Sequence, residues 1–141
     1  DLTGSKVDNN LKVDDVLIVA KGPQKKAIYL NSVPNNVVAN QHFFIIKVKP
    51  DVSLSPQFLE YYLNGSDVQR WMHDNSGGSY QSSISKKTLS ELPVPNISEA
   101  EQQLIVEAAD SVRTEIQLHQ QLIKGREQEI DAVFSSLWKE Q

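Results

Sequence analysis

Residues 98–139 read SEAEQQLIVEAADSVRTEIQLHQQLIKGREQEIDAVFSSLWK, and this stretch decides the fold. Ser98 stands three residues before Glu101, the reciprocal capping pattern of a helix start. From there to Lys139 the chain holds no proline and a single glycine, Gly125. Some 40 helical residues at about 1.5 Å each extend roughly 60 Å, longer than a domain of this size is wide. Such a helix is expected to protrude or to meet a partner.

Its apolar pattern says which. Ile105, Ala109, Val112, Ile116, His119, Ile123, Arg126, Ile130, Val133 and Leu137 follow one another at alternating intervals of 4 and 3, a heptad seam sustained over more than four repeats. The spacing predicts a coiled coil. His119 and Arg126 are polar seam positions, which weaken pairing but fix register, because a slipped partner would face them with apolar groups. Leu104, Ala108, Leu118, Leu122 and Phe134 widen the stripe beyond a two-helix seam. Packing of the helix on its own domain would account for the first turns and leave residues 116–137 uncovered.

Ahead of the helix, Pro93-Val94-Pro95 is stiff and extended, because each proline fixes its own backbone and restricts its neighbour. Residues 1–97 are therefore read as one domain and 98–141 as a dimerisation and spacer helix. Within the domain, Val16–Ala20 is a β-branched run ending at Lys21-Gly22-Pro23, a buried strand leaving into a turn. Ala27–Leu30, Val37–Ala39 and Phe43–Val48 read as further strands. Ser55-Pro56 starts a helix carrying Phe58, Leu59, Tyr62 and Leu63 at helical spacing, and Asn64-Gly65 stops it. Ser66 reads as the cap of a second helix with Val68, Trp71 and Met72 on its apolar stripe. Residues 75–83 form a Gly/Ser-rich loop between ordered elements, and Ile84, Leu89 and Leu92 anchor a short turn. The fold class is α+β: a small mixed-sheet domain with short helices, followed by one long coiled-coil helix.

The chain of 141 residues holds 14 basic and 18 acidic side chains, a net charge of −4. That balance argues against a nucleic-acid partner until the charges are located. Residues 1–97 carry 10 basic and 9 acidic side chains, whereas residues 98–141 carry 4 and 9. Two windows contain no acid at all: residues 16–50, with Lys21, Lys25, Lys26, Lys47 and Lys49, and residues 75–90, with Lys86 and Lys87. Solvated lysines on loops and strand faces would explain these windows as well as an anionic partner does.

With no cysteine, disulfides, thiol catalysis and cysteine-bound metal are excluded. No apolar run approaches the roughly 20 residues of a membrane span, and the N-terminus lacks the layout of a secretion signal, so a cytoplasmic location is expected. Phosphate-binding glycine loops, zinc-protease helices and nucleophile elbows do not occur, and the three histidines, His42, His73 and His119, are too scattered to form a metal site. No cofactor and no catalysis are expected.

The ordered set of features resembles the target recognition domain of the DNA specificity subunit of type I restriction-modification systems. The matching residues are Val13-Asp14-Asp15-Val16-Leu17-Ile18 followed by Lys21-Gly22; Phe58 to Asn64 followed by Val68-Gln69; Gly78-Ser79-Tyr80-Gln81 followed by Ile84-Ser85; Leu89 through Leu92-Pro93-Val94-Pro95; and Ser98-Glu99-Ala100-Glu101-Gln102 entering the long helix. The family usually has Gly-Asp at Asp14-Asp15 and commonly Arg-Gly at Lys21-Gly22. Such domains also usually begin several tens of residues earlier, and complete subunits have two recognition domains and two long helices, so the chain is read as a half-subunit, truncated or unusually short.

The resemblance implies a non-catalytic subunit that chooses the DNA sequence, with adenine methylation and cleavage supplied by methyltransferase and restriction subunits. A half-subunit must pair to read a two-part site, and Ile105, Val112, Ile116, His119, Ile123, Arg126, Ile130, Val133 and Leu137 are the expected interface of a homodimer. Two antiparallel helices of about 60 Å span roughly 15–18 base pairs, and two-fold symmetry makes the target palindromic. Phosphate contact needs cations, whereas base readout needs forked amides or guanidinium groups. Lys21, Lys25, Lys26, Lys86 and Lys87 are expected to hold phosphates of double-stranded DNA, with Ser79 and Tyr80 beside them and Gln81 on an adenine edge. Asn40, Gln41 and His42 are weaker candidates. Two alternatives remain: an assembly module whose domain does not touch DNA, and the recognition domain of a larger fused restriction-modification enzyme.

Overall fold

A computed structural model of the chain describes residues 11–33, 42–77 and 82–139. Strands β1 (Val16–Val19), β2 (Ala27–Tyr29) and β3 (Phe43–Ile46) are followed by helices α1 (Pro56–Asn64), α2 (Ser66–Asp74), α3 (Lys86–Ser90) and α4 (Glu99–Lys139). The chain divides into two units at Val106/Glu107, so the first turns of α4 belong with the sheet and the remainder of α4 is a unit of its own. The fold is α+β, as the sequence predicts.

The sheet has the order β2-β1-β3. Among the described residues both pairings are antiparallel, with Leu17 opposite Ile28 on one side and Ile45 on the other. Seven residues, 20–26, join β1 to β2 through the Lys21 turn, too few for the crossover that a parallel pair requires. Alternation along β1 sends Val16 and Ile18 fully into the core and leaves Leu17 and Val19 half-buried on the other face. The core closes as Leu59, Leu63, Val68 and Met72 of α1 and α2, with Ile84, cover the Val16/Ile18 face. Trp71 packs at its margin. The Val37–Ala39 strand expected from sequence lies outside the described residues.

Local chemistry sets the helix ends. The Ser55 hydroxyl accepts from the Phe58 amide at 3.3 Å, with Pro56 as first helical residue. At Gly65 a β-carbon would lie 3.1 Å from the Tyr62 carbonyl oxygen, so glycine permits the tight turn that ends α1. Gly65, not Ser66, occupies the cap position of α2, and no side chain caps it. Ser85 caps α3 through the Thr88 amide. At α4 the Glu101 amide donates to Ser98 Oγ at 3.3 Å while the Ser98 amide donates to Glu101 Oε2 at 2.9 Å, the two halves of the predicted capping box.

Candidate nucleic-acid interface

The candidate surface is built on the turn that leaves β1. Gly22 has φ +119°, a left-handed conformation that favours glycine, and this lets both of its backbone polar groups turn toward Ser82. The Gly22 amide donates to the Ser82 carbonyl at 3.1 Å, and the Ser82 hydroxyl donates to the Gly22 carbonyl at 3.1 Å. Lys21 and Ser83 form an antiparallel bridge, and the Ile84 amide donates to the Ala20 carbonyl at 3.0 Å. Gly77 and Ser83 exchange two backbone hydrogen bonds of 3.2 Å, closing the base of the Gly/Ser-rich loop. Two windows some 60 residues apart in sequence thus meet at one place.

The far side of the turn is held by amide side chains. Asn64 donates to the Ala27 carbonyl at 2.9 Å and accepts from the Ala27 amide at 3.0 Å, and Gln69 does the same to Lys25, at 3.0 and 3.1 Å. Two side chains stand in for a neighbouring strand along residues 25–27, satisfying an edge that would otherwise be open. Gln69 also donates to the Leu63 carbonyl, which ties the α1–α2 junction into the same network. An open groove of about 550 Å³ beside the turn is lined by Gln24, Lys26, Glu60, Asn64 and Gln69 among others. The amides of Asn64 and Gln69 are engaged by backbone.

Lys21, Lys26, Lys86 and Lys87 are exposed, and the last two open α3 directly after the bridge at Ser83. The expected surface placement of Lys25 is corrected. Its side chain is 2% exposed, and its ammonium donates to the Gly22 carbonyl, the Ser82 carbonyl at 2.7 Å and the Ser82 hydroxyl at 3.0 Å. Three donors meet three acceptors, so none is left for a phosphate. Burial also holds the Lys25 ammonium pKa below the usual lysine value. Ser79, Tyr80 and Gln81, with Asn40 and Gln41, lie outside the described residues, while His42 is exposed and its carbonyl accepts from the Ala20 amide at 2.8 Å.

Sequence reasoning missed Asn64, Gln69 and Ser82. Asn64 was legible only as a helix stop, since an amide that bonds backbone across the fold leaves no local pattern.

Residues 1–128 match the model of the family described as the type I restriction modification DNA specificity domain. The chain belongs to this family. No curated protein matches it. Within the specificity domain, the Asp14-Asp15 departure has a structural meaning: Asp14 sits at φ +70°, where the family's usual glycine is at ease. Its carboxylate accepts from the Tyr29 hydroxyl at 2.8 Å. Asp15 is buried, receiving the Lys12 amide at 2.8 Å and the Lys47 ammonium at 2.7 Å. The Lys-Gly pair that replaces Arg-Gly keeps its glycine at the left-handed position and its cation exposed.

The α4 motif of the specificity domain is explained by Gln102. This buried amide donates to the carbonyls of Ser53 (2.9 Å) and Ile97 (3.2 Å) and accepts from the Ser55 amide at 2.7 Å. It joins the start of α4 to the start of α1.

The expected pairing residues lie open along α4. Ile105, Val112, Ile116, Ile123, Ile130, Val133 and Leu137 are all exposed in the single chain, as are Leu118, Leu122, Phe134 and Trp138. The polar seam positions are matched to acids on their own helix, His119 with Glu115 at 3.6 Å and Arg126 with Glu129 at 2.9 Å. No helix among the described residues is long and apolar enough to cross a membrane.

Proposed function

We propose that this specificity domain is the sequence-reading part of a cytoplasmic type I restriction-modification complex. It binds double-stranded DNA and directs adenine methyltransferase and restriction subunits to a site, with no catalysis of its own. The observation that carries the reading is the meeting of the two acid-free windows at the Lys21–Ser83 bridge, with Lys21, Lys26, Lys86 and Lys87 exposed around it. Exposed ammonium groups grouped about bridged loops suit phosphate contact, which positions a protein on the duplex. Base readout falls to the Gly/Ser-rich loop, with Gln81 on an adenine edge and Ser79 and Tyr80 beside it. Residues 1–97 are the recognition domain and residues 98–141 the dimerisation and spacer helix.

The helix pairs with the same helix of a second copy through the seam from Ile105 to Leu137. Its exposed apolar residues support this, since burying one aliphatic side chain contributes about 1.5–3 kcal/mol and most helix stability in proteins comes from packing an apolar face. Two copies related by a two-fold axis then read a palindromic, two-part target. Selection from a pool of random duplexes, run on the complex with its methyltransferase subunits, should enrich such a site. A pool that enriches nothing would instead mark an assembly module.

A further inference from the structure

We propose that Lys25 is a positioning residue for DNA reading: its buried ammonium cross-links the turn after β1 to Ser82 and holds the two cationic segments in one arrangement, without touching DNA. This inference rests on the DNA-reading role proposed above. The lysine sits at the middle of a closed network. Its own amide and carbonyl are clamped by Gln69, which fixes the backbone from which the side chain departs. The side chain then reaches the Gly22 carbonyl within its own turn and Ser82, 57 residues further along. Ser82 Oγ accepts from the ammonium and donates its own hydrogen bond to the Gly22 carbonyl. The ammonium's three donors, the serine hydroxyl and both carbonyls of the triangle are all used.

A plain structural role accounts poorly for this choice of residue. Burying a cation among neutral dipoles costs free energy that an apolar side chain of similar length, such as methionine, does not incur. What an ammonium adds is direction. Three donors fixed on one carbon chain set the spacing between the Gly22 and Ser82 carbonyls, and with it the spacing between Lys21 and Lys26 on one side and Ser83 to Lys87 on the other. Phosphate and base contacts made from two segments discriminate between sequences only when their separation is fixed.

The test uses the full chain in complex with its methyltransferase subunits, the duplex selected by the unaltered protein and a scrambled duplex. Lys25→Met should lower the preference for the selected duplex roughly tenfold, about the cost of one mismatched base pair. Its affinity for scrambled DNA and its salt dependence should stay as they were, whereas Lys26→Ala should flatten the log–log salt slope by about one unit. Ser82→Ala, which removes the two hydrogen bonds of the serine hydroxyl and keeps both carbonyl contacts of the ammonium, should shift preference the same way by less, and Lys25→Arg should restore part of it.

Unchanged preference in Lys25→Met overturns the inference. So does a slope that falls as in Lys26→Ala, which means direct phosphate contact, or a parallel loss of both affinities, which means a merely structural role. If Lys25→Met does not fold, Ser82→Ala decides, and unchanged preference there overturns it. Failure of the unaltered protein to select any duplex overturns the DNA-reading role itself, and this inference with it.

Discussion

At Asp14 two residue-level effects oppose each other. A left-handed backbone costs an ordinary residue about 1–2 kcal/mol, less for aspartate, and the Tyr29 hydroxyl bond returns about 1 kcal/mol. Asp14→Ala loses the bond and keeps the strain, and should destabilise by about 1–2 kcal/mol; Asp14→Gly loses both and should stay within about 1 kcal/mol of the parent. Urea unfolding of the two variants checks the order, and an alanine as stable as glycine would refute it. The same bond raises the Tyr29 pKa, first through the hydrogen bond to Asp14, then through burial and the carboxylate charge. Because the folded value lies above the unfolded one near 10, this contribution is complete below about pH 10 and is lost as pH rises through the folded value. The unfolding midpoint of the parent should therefore fall more between about pH 9 and 11 than that of Tyr29→Phe.

Among the elements, α4 shows how one helix serves two settings. Its first turns are anchored by Gln102 and Val106, both buried, whereas from Glu107 on it is exposed almost throughout. Gln102→Ala would leave the Ser55 amide and the Ser53 carbonyl without their side-chain partner, and should destabilise by about 2–3 kcal/mol, against less than about 0.5 kcal/mol for Gln121→Ala on the exposed stretch. Thermal unfolding of the two variants tests this, and equal effects would remove Gln102 from the role. The capping box was legible because it spans four consecutive residues, Ser98 to Glu101. Gln102 looked like one more polar helix residue, since its partners lie 47 and 49 positions away.

For the whole molecule, the charge split acquires a location. Residues 98–141 hold half of the 18 acids, while the exposed lysines around the Lys21–Ser83 bridge belong to the other part of the chain. So small a positive field predicts weak binding to DNA by a single copy and tighter binding by a paired one. Ile116→Asp with Ile123→Asp should leave a folded protein that sediments as a monomer, because a carboxylate in a heptad seam is buried without a partner. A dimer that survives both substitutions would place the interface elsewhere.

The α+β class, the long helix, its start at Ser98 and the start of α1 at Ser55-Pro56 were all determined by the sequence alone. Their causes are local: capping, proline geometry and apolar periodicity act within a few residues. The direction of the strand pairings, the burial of Lys25 and the amide clamps of Asn64, Gln69 and Gln102 were decided only by the tertiary structure. A lysine in an acid-free window looks the same in sequence whether water or two carbonyls solvate it. Which one does depends on a serine 57 residues away, brought close by β1 and held there by Gly22.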